Sequence, residues 1–129
     1  MELKQWQKKV YDIAKSKGWY DKEVPQSTKV ERHMLMVTEI AEATEEIRDN
    51  KPAIYANYGD AVVPMTEADF KDPVYLKMPK PEGEAIELAD AVIRIMDYFE
   101  AMGWDLEEAI RIKSAYNETR PYRHGGKTI

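Results

Sequence analysis

Residues 28–48 read TKVERHMLMVTEIAEATEEIR, and the fold turns on how this stretch is built. Thr28 and Glu31 form a T-x-x-E capping box, in which the threonine oxygen accepts an amide of the first turn while the glutamate reaches back to the cap. Behind them Met34, Val37, Ile40, Ala41, Thr44 and Ile47 recur at helical spacing. That pattern predicts an amphipathic helix with these residues turned inward, ended by Asn50 and Pro52.

Working outward, residues 3–17 place Leu3, Trp6, Val10, Ile13 and Ala14 three and four apart between lysines, which predicts a first helix stopped by Gly18. Residues 51–81 hold five of the seven prolines and keep no helical period, so they read as an irregular insertion, suited to a lid or a dimer contact. Ala53–Tyr58 and Val74–Met78 are candidate short strands within it, because tyrosine and valine favour extended backbone. A third helix is expected from Pro81 to about Met102, with the stripe Ile86, Ala89, Val92, Ile93, Met96 and Phe99 and a stop at Gly103. Asp105 and Glu108 cap a fourth, which Pro121 closes after about Thr119. Four helices, each with one apolar face, predict one all-α domain over residues 1–129, a four-helix bundle interrupted at 51–81. A bundle this short is expected to associate as a homodimer or a dimer of dimers.

Composition narrows the function. Acidic residues outnumber basic ones by 24 to 19, which disfavours a nucleic-acid polymer as partner but leaves room for a small anion at a local basic patch. The chain has no cysteine, so disulfides, thiol nucleophiles and thiolate metal sites are excluded together. The charged N-terminal residues Glu2, Lys4, Lys8 and Lys9 do not form a signal peptide, and no stretch reads as a membrane span, so the cytoplasm is the expected location.

The carboxylates carry the chemistry. Glu39 and Glu42 are three apart on the second helix, which sets their Cβ atoms roughly 5–6 Å apart on one face, and Glu46 continues the row. Glu87 and Asp90 repeat the arrangement on the third helix, with Glu84 one turn earlier. Antiparallel packing would let the two pairs meet, at a mutual repulsion of roughly 1–4 kcal/mol per close pair. A hard divalent cation, magnesium in particular, offsets that repulsion and binds phosphate oxygens as well. The plainer reading is a solvated acidic face in which Asp90 pairs with Arg94 one turn on. Against it, Glu39 and Asp90 are embedded among apolar neighbours, where an idle charge is costly. Di-iron carboxylate chemistry is disfavoured, because neither His33 nor His124 follows a glutamate at the Glu-x-x-His spacing.

Glu39-Ile-Ala-Glu42 followed by Glu87-Leu-Ala-Asp90 resembles the ExxE and ExxD signature of the MazG-like all-α nucleoside triphosphate pyrophosphohydrolases. The stretch KPEGEAIELADAVIRIMDYFEAMGWDLEEAIRIKSAYNETRPYRHGGK, residues 80–127, carries most of the likeness. It resembles the phage and bacterial members that end in a Lys, Asn, Arg-Pro and HGGK pattern. The departure is the insertion at 51–81, which separates the two acidic motifs further than is usual. The resemblance implies that Glu39, Glu42, Glu87 and Asp90 ligate Mg2+, or Mn2+ in its place, for hydrolysis of a nucleoside triphosphate to monophosphate and pyrophosphate. Glu46 or Glu84 would then serve as base or complete a second metal site. Lys113, Asn117 and Arg120, spaced for one face of the fourth helix, are implied to contact the nucleotide; Arg123, His124 and Lys127 lie on a glycine-hinged tail that reads either as folding over bound phosphates or as a disordered basic tail. Two other expectations stay open: a non-catalytic helical interaction module, and a hydrolase of an alarmone or modified nucleotide.

Overall fold

Local capping chemistry sets most helix boundaries in the computed structural model, which describes residues 1–23, 25–71 and 79–129. Helix α1 spans Leu3–Ser16, with Gln5 accepting from the Glu2 amide at 2.8 Å. Helix α2 spans Lys29–Arg48, where Thr28 accepts from the Glu31 amide and Glu31 accepts from the Thr28 amide. Helix α4 spans Glu84–Met102 and α5 spans Leu106–Glu118, the latter capped by Asp105. The four expected helices are therefore present, and the protein is mainly α. It is not all-α: strands β1, Tyr55–Tyr58, and β2, Ala61–Pro64, pair antiparallel through a two-residue turn at Gly59 and Asp60, and a one-turn helix α3, Glu67–Phe70, follows. These elements replace part of the expected irregular insertion; four-residue strands are too short to show a period in sequence. The candidate strand at Val74–Met78 lies outside the described residues. Among the described residues no helix is long and apolar enough to cross a membrane.

The chain divides into two compact units, one made of Met1–Val24 with Met96–Ile129, the other of Pro25–Ile95. In the first, α1 packs against α5. Gln7, 2% exposed, is its central tie: its amide nitrogen donates to Glu100 Oε2 and to the Trp104 carbonyl, each at 2.8 Å, and its oxygen accepts from the Leu106 amide at 3.0 Å. Trp104 lies edge-on to Tyr98 and Phe99, and Val10 and Tyr98 are buried. Trp6 and Ile13, expected inward, are exposed, because the buried face of α1 is centred on Gln7 and Val10.

In the second unit the start of α4 is fixed by the chain leaving α2. Tyr55 and Glu82 exchange backbone hydrogen bonds at 2.9 Å, which holds residues 81 and 82 extended, so the helix begins at Glu84 rather than at the expected Pro81. Gly83 makes the junction at φ +120°, where a Cβ would stand 2.2 Å from the Ala53 carbonyl oxygen; glycine alone fits there.

The apolar stripe of α2 does not face inward. Met34, Val37, Ile40 and Ile47 keep 50 to 55% of their surface exposed, and Ala41 and Thr44 are also open. The buried side is instead Glu39 and Ala43, flanked by the half-buried Arg32, Met36 and Glu46. In α4 the expected stripe splits: Ala89, Val92 and Ile93 are exposed while Ile86, Met96 and Phe99 are half-buried, and Ala91, outside the stripe, is buried. Helix α2 thus turns Glu39 and Ala43 inward and leaves its apolar stripe outward, while in α4 Glu87 and Asp90 lie half-buried beside the buried Ala91 and the half-buried Ile86.

Candidate metal-binding carboxylate seam

The acids of α2 and of the first half of α4 meet within the second unit. Arg94 Nε donates to Glu39 Oε1 at 2.7 Å, and Glu42 shares a hydrogen bond with Glu87. Partner numbers fall on α4 as they rise on α2, so the helices run antiparallel there, as the acidic spacing anticipates. Glu39, Glu42 and Glu87 each offer a carboxylate oxygen such that all three lie within 4.8 Å of one another. Ligand oxygens on a single ion stand ~2.0–2.6 Å from it, so a trio with these separations can gather on one cation. Glu39 is buried, Glu87 half-buried and Glu42 exposed, which leaves the group open on one side.

The electrostatics are those of a site short of positive charge. Burial first, then the hydrogen bond and charge of Glu42, then the charges of Asp90 and Glu39, push Glu87 up to about 7. Asp90 falls outside the trio but belongs to the same field: burial and Glu39 raise it, Arg94 draws it back, Glu42 raises it and Lys80 lowers it. Arg94 is the one basic residue in α4, and its hydrogen bond goes to Glu39 across the seam rather than to Asp90. With the described neighbours supplying so little positive charge, the seam holds excess negative charge. Three hard oxygen donors and that excess suit a divalent cation.

Sequence reasoning missed Tyr55. Its buried phenol donates to Glu46 Oε2 at 2.8 Å, and burial, reinforced by Glu46, raises its pKa strongly. Asn57 donates to the Glu82 carboxylate beside it. The hairpin therefore clamps Glu46, which already holds a donor on one oxygen. A tyrosine opening a short strand after a proline is the signal that was available, but nothing local tells which helix its hydroxyl reaches.

The cationic residues belong to the other unit. Lys113 Nζ lies 4.8 Å and Arg120 Cζ 5.7 Å from the ring centroid of Tyr116, so both cations contact one aromatic ring. Arg120 stands beyond the end of α5 at Glu118 rather than on the helix, and Asn117 holds it through a backbone hydrogen bond from the Arg120 amide to the Asn117 carbonyl. Arg123 to Gly126 form the short element α6 with positive φ at each of four successive residues, 52, 51, 94 and 89°, tied by Arg123 Nη2 donating to the Thr128 carbonyl at 2.6 Å. The two glycines take this left-handed turn freely, whereas Arg123 and His124 do so at a cost of roughly 1–2 kcal/mol each. Lys127 follows it, exposed. No protein-family model, curated protein or solved structure matches the chain.

Proposed function

We propose that the protein is a magnesium-dependent nucleotide pyrophosphohydrolase of the MazG-like kind, cleaving a nucleoside triphosphate between its α and β phosphates. The observation that carries the reading is the gathering of Glu39, Glu42 and Glu87 oxygens within 4.8 Å of one another, on two antiparallel helices. Those three residues, with Asp90 beside them, would hold the ion. Bound there, it supplies charge neutralisation for the phosphate chain and acidifies water. Glu87, held up to about 7 without a metal, would give up its proton on binding the ion, which ties metal affinity to pH near neutrality. Glu46, one turn on from Glu42 and anchored by Tyr55, would stand in reserve as a proton acceptor. Lys113, Asn117, Arg120, Arg123 and Lys127 offer donors of the type that bind phosphate oxygens. The net charge of −5 favours a small nucleotide over a polymer, in a cytoplasmic setting.

The test is a panel of nucleoside triphosphates, alarmones and modified nucleotides, assayed for pyrophosphate release with magnesium, paired with calorimetric titration of magnesium and manganese. Saturable metal binding that Glu87→Ala abolishes, with pyrophosphate released from a triphosphate, supports the proposal. Turnover confined to alarmones or modified nucleotides moves the substrate. Absence of both binding and turnover leaves a helical interaction module, a reading that the outward apolar face of α2 favours.

A further inference from the structure

A phosphate chain that meets the carboxylate seam needs more positive charge than one ion brings. A divalent cation set against Glu39, Glu42, Glu87 and Asp90 leaves the seam formally negative, so a polyanion approaching it is repelled unless another cation stands close by. The phosphate donors named above, Lys113 to Lys127, belong to the other compact unit. Within the seam's own unit two cations reach its field, Lys80 and Arg94, and both draw Asp90 down.

Those two cations are held very differently. Lys80 stands 3.8 Å from Glu82 with its side chain 84% exposed, an ordinary surface pair. Arg94, one turn after Asp90 on α4, donates from Nε to Glu39 Oε1 at 2.7 Å. The Glu39 side chain is 10% exposed and that of Arg94 42%, so the guanidinium is anchored on a buried acid while part of it meets solvent. Among the described residues this is the one hydrogen bond of Arg94. The N–H groups of both Nη nitrogens are therefore uncommitted.

A guanidinium fastened at Nε keeps its plane fixed, and its Nη groups form a rigid fork that matches two oxygens of a phosphate. Because the side chain is already held, binding orders it less than it would order a free surface arginine. The anchor matters as well: Glu39 is a member of the carboxylate trio, so an ion held by the trio and the Arg94 guanidinium would be tied to one carboxylate and act on a phosphate chain together. Balancing the charge of Glu39 alone would not call for a fork.

We propose that Arg94 is a phosphate-binding residue of this site, held by Glu39 through Nε and contacting the phosphate chain of the substrate through its Nη groups. The inference rests on the hydrolase reading for the ion beside it and adds the cation that receives the phosphates within the same unit.

The test uses the full chain and two probes that carry no base, magnesium alone and inorganic triphosphate with magnesium in excess, each titrated calorimetrically. Arg94→Lys keeps a charge able to reach Glu39 but has a single nitrogen, which that bond occupies. It is expected to bind magnesium about as tightly as the wild type and inorganic triphosphate about tenfold more weakly. Arg94→Gln is expected to lose triphosphate affinity by a larger factor. Equal losses for both probes in Arg94→Lys would make Arg94 only a holder of Glu39 and overturn the proposal, as would an unchanged triphosphate affinity or a wild-type chain that does not bind triphosphate. If Arg94→Gln does not fold, because Glu39 is left buried without its partner, Arg94→Lys decides alone. The two readings fail separately. Triphosphate binding that depends on Arg94 in a chain that takes up no magnesium keeps this assignment and removes the hydrolase, whereas pyrophosphate release with the same KM in Arg94→Lys keeps the hydrolase and removes the assignment.

Discussion

Two buried polar centres sit in this molecule, and they are built on opposite terms. In the first unit Gln7 is neutral and its three recorded hydrogen bonds, with Glu100, Trp104 and Leu106, satisfy both ends of its amide. In the second, Glu39 and Glu87 sit among Glu42 and Asp90, with Arg94 the nearest compensating charge. A satisfied neutral group adds specificity and stability to a core. A cluster of like charges costs stability until something neutralises it. The first centre is thus structural in character, and the second has the oxygen donors that could hold a metal ion.

The contrast yields graded predictions. Glu87→Ala is expected to leave the fold intact but to lower pyrophosphate release by about a thousandfold, about 4 kcal/mol of barrier, and to abolish saturable magnesium binding; wild-type turnover in this variant would remove the seam from the chemistry. Gln7→Ala, which strands partners on three elements, is expected to cost about 3 kcal/mol, read as a lower melting temperature with residual metal binding retained. If instead Gln7→Ala melts like the wild type, the supposed structural centre is not one.

A third prediction concerns pH. Glu87 titrates near 7 in the folded protein against an ordinary value of 4.5, so between those values the folded form holds its proton more tightly than the unfolded chain. The metal-free protein should therefore lose stability as pH rises from about 4.5 to about 7 and change little from this source above it; the raised Asp90 acts in the same sense. Melting curves in a chelating buffer should show this decline, Glu87→Gln should flatten it, and magnesium should stabilise more at pH 8 than at pH 5. The smallest effect is expected for Tyr55→Phe, which removes one hydrogen bond to Glu46 and should lower stability by about 1 kcal/mol, without altering metal stoichiometry.

How much of this was legible in the chain depends on the range of the interactions. Thr28 with Glu31 and Asp105 with Glu108 announce helix starts because each cap closes within one turn. Gly103 follows its helix for a similarly local reason. The acidic spacing also showed that Glu39 with Glu42, and Glu87 with Asp90, must share faces. The hairpin at Tyr55 to Pro64 was half legible, since β1 lay inside a candidate strand but its partner did not. The plainer reading of the acids pairs Asp90 with Arg94 one turn on; the hydrogen bond of Arg94 goes instead to Glu39 on another helix.

By itself, then, the sequence determined the bounds of α1, α2 and α5 and which residues travel together on a face, because caps and periodicity are properties of a few consecutive residues, whereas the start of α4 is set by the pairing of Tyr55 with Glu82. Only the tertiary structure decided which face turns inward. A helical period marks an apolar stripe without saying whether the chain's own core or another molecule covers it, and in α2 the chain buries Glu39 and Ala43 and leaves Ile40 to solvent. That choice follows from long-range packing between residues more than fifty positions apart, which no local pattern records.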